Sequence, residues 1–153
     1  MVAYFAYGAN MAEGVMRAHC PRHVVAGIAE LPGHRFAFTR RSIRTGTGVA
    51  DVVADPARSV WGVLYEVEDL AGLDGKEGAG WAYVHYPVTV RLGDDLREAM
   101  TYKVREPEPA EVRPGSDYIA KILAAARTRG LPAEYVMEIA ALARTASASA
   151  PPV

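Results

Sequence analysis

Apolar and polar positions alternate with a period near two through most of residues 2–105, and take up a helical period after that. Val2 to Tyr7 is a short apolar run that predicts a buried strand. Gly8 breaks it, and Asn10 stands as N-cap for a helix over 11–18. Val24 to Leu31 is rich in β-formers and ends at Pro32-Gly33. Arg35 to Arg40 alternates polar residues with Phe36 and Phe38, which predicts a separate half-buried strand. Gly48–Ala54 and Val60–Val67 predict two more strands, parted by the turn signal Asp55-Pro56. Val60-Trp61-Gly62-Val63-Leu64-Tyr65 is apolar on both faces and so belongs at the centre of a sheet. Glu68–Lys76 predicts one or two helical turns.

A strand follows over Ala82–Leu92. Its even positions, Val84, Tyr86, Val88, Val90 and Leu92, point to the core, and Tyr83 and His85 share the other face. Pro87 cannot donate to a ladder, so this strand has an unpaired side. Ala99–Arg105 is a further strand. In the last third, Tyr118, Ile119, Ile122, Leu123 and Ala126 form an apolar helical stripe that stops at Gly130. Pro132 opens a second helix, whose face is Val136, Ile139, Ala140 and Ala143. Residues 145–153 are rich in Ser, Ala and Pro and predict a disordered tail after a domain spanning 1–144. Strands first and helices last, with short connections, give an α+β class with a mixed, barrel-like sheet.

Composition narrows the class. A chain of 153 residues is one domain by default. Its net charge of −1 gives no reason to expect nucleic acid or an acidic membrane as a partner. No apolar run is long enough to span a bilayer, and the start of the chain has no basic n-region, so neither a membrane segment nor a signal peptide is expected. Cys20 is the single cysteine, which excludes an internal disulfide and fits a reducing cytoplasm. Oligomeric state is open between monomer and homodimer.

Two segments carry candidate chemistry. The strand that stops at Gly8 and turns into a helix directs backbone N–H groups of residues 8–10 outward, a possible oxyanion or carboxylate site. In Leu73-Asp74-Gly75-Lys76-Glu77-Gly78-Ala79-Gly80-Trp81 a carboxylate sits among glycines, with Leu70, Leu73, Trp81 and Tyr83 close in sequence. A Glu77 side chain buried in an apolar pocket would have its pKa raised toward neutrality and could take and return a proton. Asp74, three residues earlier, suits bracing the turn better than a paired-carboxylate site. His19-Cys20-Pro21-Arg22-His23 has metal-ligand residue types, but its spacing fits no common zinc pattern, so no metal is expected. Arg35, Arg40, Arg41 and Arg44 read as a solvated, charge-blunted strand edge. His85 is open between a cavity and a surface position.

Four blocks of this chain resemble the γ-glutamylcyclotransferase-like (AIG2-like, γ-glutamylamine cyclotransferase) family. Tyr4-Phe5-Ala6-Tyr7-Gly8-Ala9-Asn10-Met11 is similar to its Tyr-Phe-Ala-Tyr-Gly-Ser-Asn signature. Val60–Tyr65 resembles its central strand, and Leu73-Asp74-x-x-Glu77-Gly78 its catalytic segment. Pro114-x-Ser116-x-Tyr118 with Gly130-Leu131-Pro132-x-x-Tyr135 resembles its C-terminal pattern. The resemblance implies a small mixed β-barrel with flanking helices, no cofactor, and conversion of a γ-glutamyl amine or peptide to 5-oxoproline plus the free amine or amino acid. It puts the catalytic general acid/base on Glu77. The substrate-binding loop falls on Tyr7, Gly8, Ala9 and Asn10, and the cavity-lining tyrosines on Tyr83 and Tyr118. Ala9 departs from the family's serine, which removes a hydroxyl contact but keeps the backbone N–H.

The expected chemistry is intramolecular. The α-amine of a γ-glutamyl group attacks its own γ-carbonyl, and one carboxylate takes the proton and hands it to the leaving amine. A catalytically silent pocket for a small acidic ligand, and an amidase releasing glutamate by hydrolysis, are the alternatives.

Overall fold

Two long strands dominate the architecture. β2 (His23–Arg41) and β3 (Gly48–Val67) pair antiparallel from His23↔Val67 to Arg41↔Gly48. Three shorter strands complete the sheet: β1 (Val2–Ala6), β4 (Tyr83–Leu92) and β5 (Asp95–Val104). In this computed structural model, which describes residues 1–146, they close a barrel in the order β1-β3-β2-β4-β5. The barrel is mixed: β1 pairs antiparallel with β3, but parallel with β5 at Tyr4↔Met100. The four α-helices among the described residues are α1 (Glu13–His19), α2 (Ala71–Glu77), α3 (Ser116–Arg129) and α4 (Ala133–Thr145). A 3-10 turn over Ala9–Met11 precedes α1. Among the described residues no helix is long and apolar enough to cross a membrane.

The sequence pattern divides β2 at Pro32-Gly33 and β3 at Asp55-Pro56, yet both strands run on. The turn chemistry at Asp55 is real: the Ala57 N–H donates to Asp55 Oδ1 at 3.0 Å. It makes an excursion rather than a hairpin. Pro32 pairs with Ser59 and His34 with Ala54, so four residues of β3 bulge out opposite Gly33 before the same two strands resume pairing. β5 begins at Asp95, before the expected Ala99. Its first four residues lie in an exposed hairpin arm with β4, where no core-facing alternation marks a strand. β4 pairs with β5 along its full length but with β2 only at Glu30↔Arg91, so Pro87 has the expected unpaired side.

Phe5, Phe38, Val52, Val60, Leu64 and Tyr65 are fully buried in one hydrophobic core, with Phe5 and Leu64 on the sheet face opposite Tyr65. Ile122 of α3 and Ile139 of α4 join the same core. β1 and β3 approach so closely that a Cβ on Gly62 would lie 2.2 Å from the Ala6 carbonyl oxygen. The barrel buries one carboxylate, Asp51. It accepts hydrogen bonds from the Thr39 hydroxyl at 2.7 Å and the Val104 amide at 3.0 Å, with the Lys103 ammonium 3.6 Å away.

α3 ends where Gly130 takes a left-handed φ of 85°. α4 extends through Thr145, and Ala146 is buried, so the first two residues of the expected tail belong to the packed domain. Residues 147–153 of that tail lie outside the described residues.

Candidate active site

β1 delivers the chain into a cavity of about 300 Å³ at one end of the barrel. The residues singled out from the sequence, Tyr7, Gly8, Ala9, Asn10, Glu77, Tyr83 and Tyr118, all line it. Tyr4, Tyr102, Arg40, Arg44, Lys76 and Trp81 line it as well.

Asn10 does not cap α1. The N-cap is Ala12, with no side-chain cap bond. The Asn10 side chain turns inward instead and is buried. Its Nδ2 donates to the Tyr4 hydroxyl at 2.7 Å and to Glu77 Oε1 at 3.2 Å. These acceptors fix the amide's orientation, since the reverse would set its oxygen against a carboxylate. Asn10 Oδ1 is then buried without a hydrogen-bond partner. The backbone carbonyls of Asn10 and Met11 both accept from the Tyr65 hydroxyl, at 2.9 and 3.1 Å. Arg129, at the end of α3, also donates to Met11 O at 2.9 Å, so the turn is tied to β3 and α3. The turn's own bonds run from the amides of Met11 and Ala12 to Gly8 O and Ala9 O, so the amides of residues 8–10 precede the first closed ring.

Glu77 is the last residue of α2. Gly78 ends the helix with φ 62°, and its amide returns to Asp74 O. Leu73, fully buried, anchors the helix to the core. The Glu77 side chain is only 16% exposed, but its surroundings are not the apolar pocket expected. Oε1 receives the Lys76 ammonium at 2.8 Å as well as the Asn10 amide. Leu73 lies in the core and Leu70 packs against it, so of the apolar residues near Glu77 in sequence only Trp81 and Tyr83 line the cavity.

Five tyrosines enclose this carboxylate, and burial is the first cause raising each one's pKa. The Glu77 charge pushes each in the same direction, so they stay protonated donors and acceptors. Ala50 of β3 fixes two of them. Its carbonyl accepts from the Tyr83 hydroxyl at 2.7 Å, and its amide donates to the Tyr118 oxygen at 2.9 Å. The Tyr118 proton therefore stays available to the cavity, while the Tyr83 proton is engaged. Tyr7 donates to the Tyr102 carbonyl, and the Tyr102 hydroxyl donates to Asp74 Oδ1 at 2.6 Å. Asp74 thus braces α2 against β4 and β5, with His85 Nε2 on the same oxygen at 2.6 Å. His85 takes the bracing position, not the cavity position.

Other sequence candidates resolve differently. His23 has both ring nitrogens engaged, with Cys20 O at 2.6 Å and Glu13 Oε2 at 3.1 Å. Among the described residues no three His, Cys, Asp or Glu side chains converge on a possible metal position. The arginine stretch is not one solvated edge. Arg35 pairs with Glu111 at 3.3 Å and Arg41 donates to Gly46 O at 2.9 Å, but Arg40 and Arg44 reach the cavity. Their place at the cavity is set by tertiary structure and not by the local run of charge. The one available signal was their proximity to Gly46 and Gly48.

Comparison with known proteins gives consistent relations. The AIG2-like family matches over residues 59–139. A solved structure named gamma-glutamyl cyclotransferase superposes with a TM-score of 0.84 at 24% identity, covering 96% of this chain and 88% of that one. YkqA from Bacillus subtilis gives a TM-score of 0.84 at 24% identity, over 96% of this chain and 55% of its own. An AIG2-like protein from Mus musculus gives 0.55 at 19% identity, over 71% of this chain and 80% of its own. The search of curated proteins returned no match. With more than half its length matched by the family and its barrel shared with these structures, the chain belongs to the AIG2-like family.

Proposed function

We propose that this protein is a γ-glutamylcyclotransferase-type enzyme. It converts a γ-glutamyl amine or peptide to 5-oxoproline and the free amine or amino acid, with Glu77 as general acid/base. The observation that carries this reading is the pairing at the cavity wall: a mostly buried carboxylate held by Asn10, whose own Oδ1 is buried and unpartnered. An ammonium entering there meets a carboxylate held in place by the Asn10 amide.

The cavity is lined by no serine or cysteine among the described residues, so an internal nucleophile suits it. Glu77, held by the Asn10 side-chain amide, takes a proton from the substrate α-ammonium. The freed amine attacks the γ-carbonyl carbon and forms the ring C–N bond. The tetrahedral centre collapses and the exocyclic C–N bond breaks as Glu77 returns its proton to the departing nitrogen; the second proton of the ring nitrogen follows through the same carboxylate, so the lactam is neutral and the amine leaves as an ammonium. No water is consumed. Tethering removes most of the entropy cost of the attack, equivalent to effective molarities of roughly 10⁵–10⁸ M when the geometry is right. The amides of residues 8–10 serve the α-carboxylate or the developing oxyanion, and Ala9 contributes only its amide. Tyr7, Tyr83 and Tyr118 shape the wall that folds the glutamyl chain.

The test is 5-oxoproline release from a panel of L-γ-glutamyl amino acids and amines, with native protein and Glu77→Gln. The native protein should release 5-oxoproline, and the variant should lose about 10²–10⁴-fold in kcat. Glutamate in place of 5-oxoproline would mean hydrolysis, and binding without turnover would mean a silent pocket. Full activity in the variant would remove Glu77 from the mechanism.

A further inference from the structure

Resting on that reading, the charge at the cavity mouth specifies the leaving group. The cavity is lined by three cationic side chains, Arg40, Arg44 and Lys76, and one anionic side chain, Glu77. Lys76 is already matched to Glu77 at 2.8 Å. Among the described residues neither Arg40 nor Arg44 has a carboxylate within 4.0 Å. Among the described residues, two guanidinium groups thus border a concave site without an ion-pair partner within 4.0 Å.

The placement of Arg40 is fixed by an aromatic contact. Arg40 is half-buried at the end of β2, with its guanidinium carbon 5.4 Å from the Trp81 ring centroid. Trp81 is 59% exposed, yet its ring rests on Gly78, where a Cβ would come within 2.6 Å of it. The indole therefore orients Arg40, and both side chains line the same cavity as the Asn10–Glu77 pair. Arginine held in this way favours a carboxylate, which accepts two parallel N–H bonds.

Every γ-glutamyl compound carries one α-carboxylate, and the 8–10 amides suit that group. A γ-glutamyl amine has no further anion to offer the arginines, whereas a γ-glutamyl amino acid or peptide has a second carboxylate on the leaving side of the scissile bond. We propose that Arg40 and Arg44 form a subsite for the carboxylate of the leaving group, so that the enzyme selects γ-glutamyl amino acids or short peptides over γ-glutamyl amines.

Two substrates isolate that group: L-γ-glutamyl-L-alanine and L-γ-glutamyl-ethylamide differ only by the alanine carboxylate. The ratio of their kcat/KM values should favour the alanine compound by about tenfold or more in the native protein. It should fall toward unity in Arg40→Gln/Arg44→Gln and recover in part in Arg40→Lys/Arg44→Gln. A native ratio near one would overturn the subsite. So would a ratio that the double variant leaves unchanged while both substrates slow together, since that pattern places the arginines on the shared α-carboxylate. Calorimetric titration of native and double-variant protein with the same two compounds separates this inference from the parent reading. Tighter, arginine-dependent binding of the alanine compound without 5-oxoproline release would overturn the cyclotransferase reading and retain the carboxylate site. Absence of both binding and release would overturn both.

Discussion

On the cavity floor every tyrosine hydroxyl has a protein partner: Asn10 for Tyr4, the Tyr102 carbonyl for Tyr7, Ala50 for Tyr83 and Tyr118, and Asp74 for Tyr102. On the rim, Arg40 and Arg44 have no carboxylate partner among the described residues, and Trp81 is largely exposed. Both regions line the same space, but they answer different physical demands. Floor groups are out of water, where an unmatched hydroxyl costs about 1–3 kcal/mol, so the fold supplies their partners. Rim groups remain hydrated until a ligand arrives, so they can stay unmatched without loss of stability. The exception on the floor is Asn10 Oδ1, and it is informative because burial there without a partner is costly.

Alkaline pH should separate the two regions most strongly. Burial, reinforced by the Glu77 charge, raises the pKa of Tyr4, Tyr7, Tyr83, Tyr102 and Tyr118 above the ordinary 10.0. A group with a raised folded-state pKa contributes stability that is complete below its unfolded value. That contribution is lost as pH rises through the folded value. In a titration of absorbance at 295 nm, the floor tyrosines should stay silent past pH ~10 and ionise together with loss of near-ultraviolet circular dichroism. If all 8 tyrosines of the chain titrated as one ordinary group in a folded protein, the enclosed floor would be wrong.

A smaller effect is expected from forcing the strands beneath the floor apart. Gly62→Ala sets a methyl against the Ala6 carbonyl, a backbone atom that cannot rotate away, and should cost roughly 1–3 kcal/mol in urea unfolding. An unchanged midpoint would show that β1 and β3 have slack at this position. The smallest effect belongs to the rim. Trp81→Ala, although it removes a large aromatic, should cost about 1 kcal/mol or less, because the ring's contacts are one cation–π pair and partial packing. A loss several times larger would make Trp81 part of the core and erase the distinction between floor and rim.

The floor was largely legible in the sequence, because apart from Tyr102 its tyrosines, Asn10 and Glu77 fall in two short blocks, 4–11 and 73–83, plus Tyr118. The rim was not. Arg40 and Arg44 sit in a run of charged residues that reads equally well as a strand edge, and nothing local separates them from Arg35, which pairs with Glu111. Asn10 was legible as a functional position but for a partly wrong reason. Local chemistry makes it a helix cap, whereas a carboxylate and a hydroxyl from distant elements recruit its side chain. The reading of Asp55-Pro56 failed in the same way: the turn formed, but the strand pairing on either side outweighed it.

The sequence alone determined the α+β class, the buried faces of α3 and α4, the glycine stop at residue 130, and the short blocks that line the cavity. These are consequences of periodicity and of backbone preferences that act over a few residues. Tertiary structure decided which strands join, that Glu77 has Lys76 and Asn10 as partners in place of an apolar wall, and that two arginines overlook the cavity. Those outcomes depend on closing a barrel between residues as distant in sequence as Tyr4 and Met100, and on burial that leaves each polar group to find whatever partner the closed fold brings within reach.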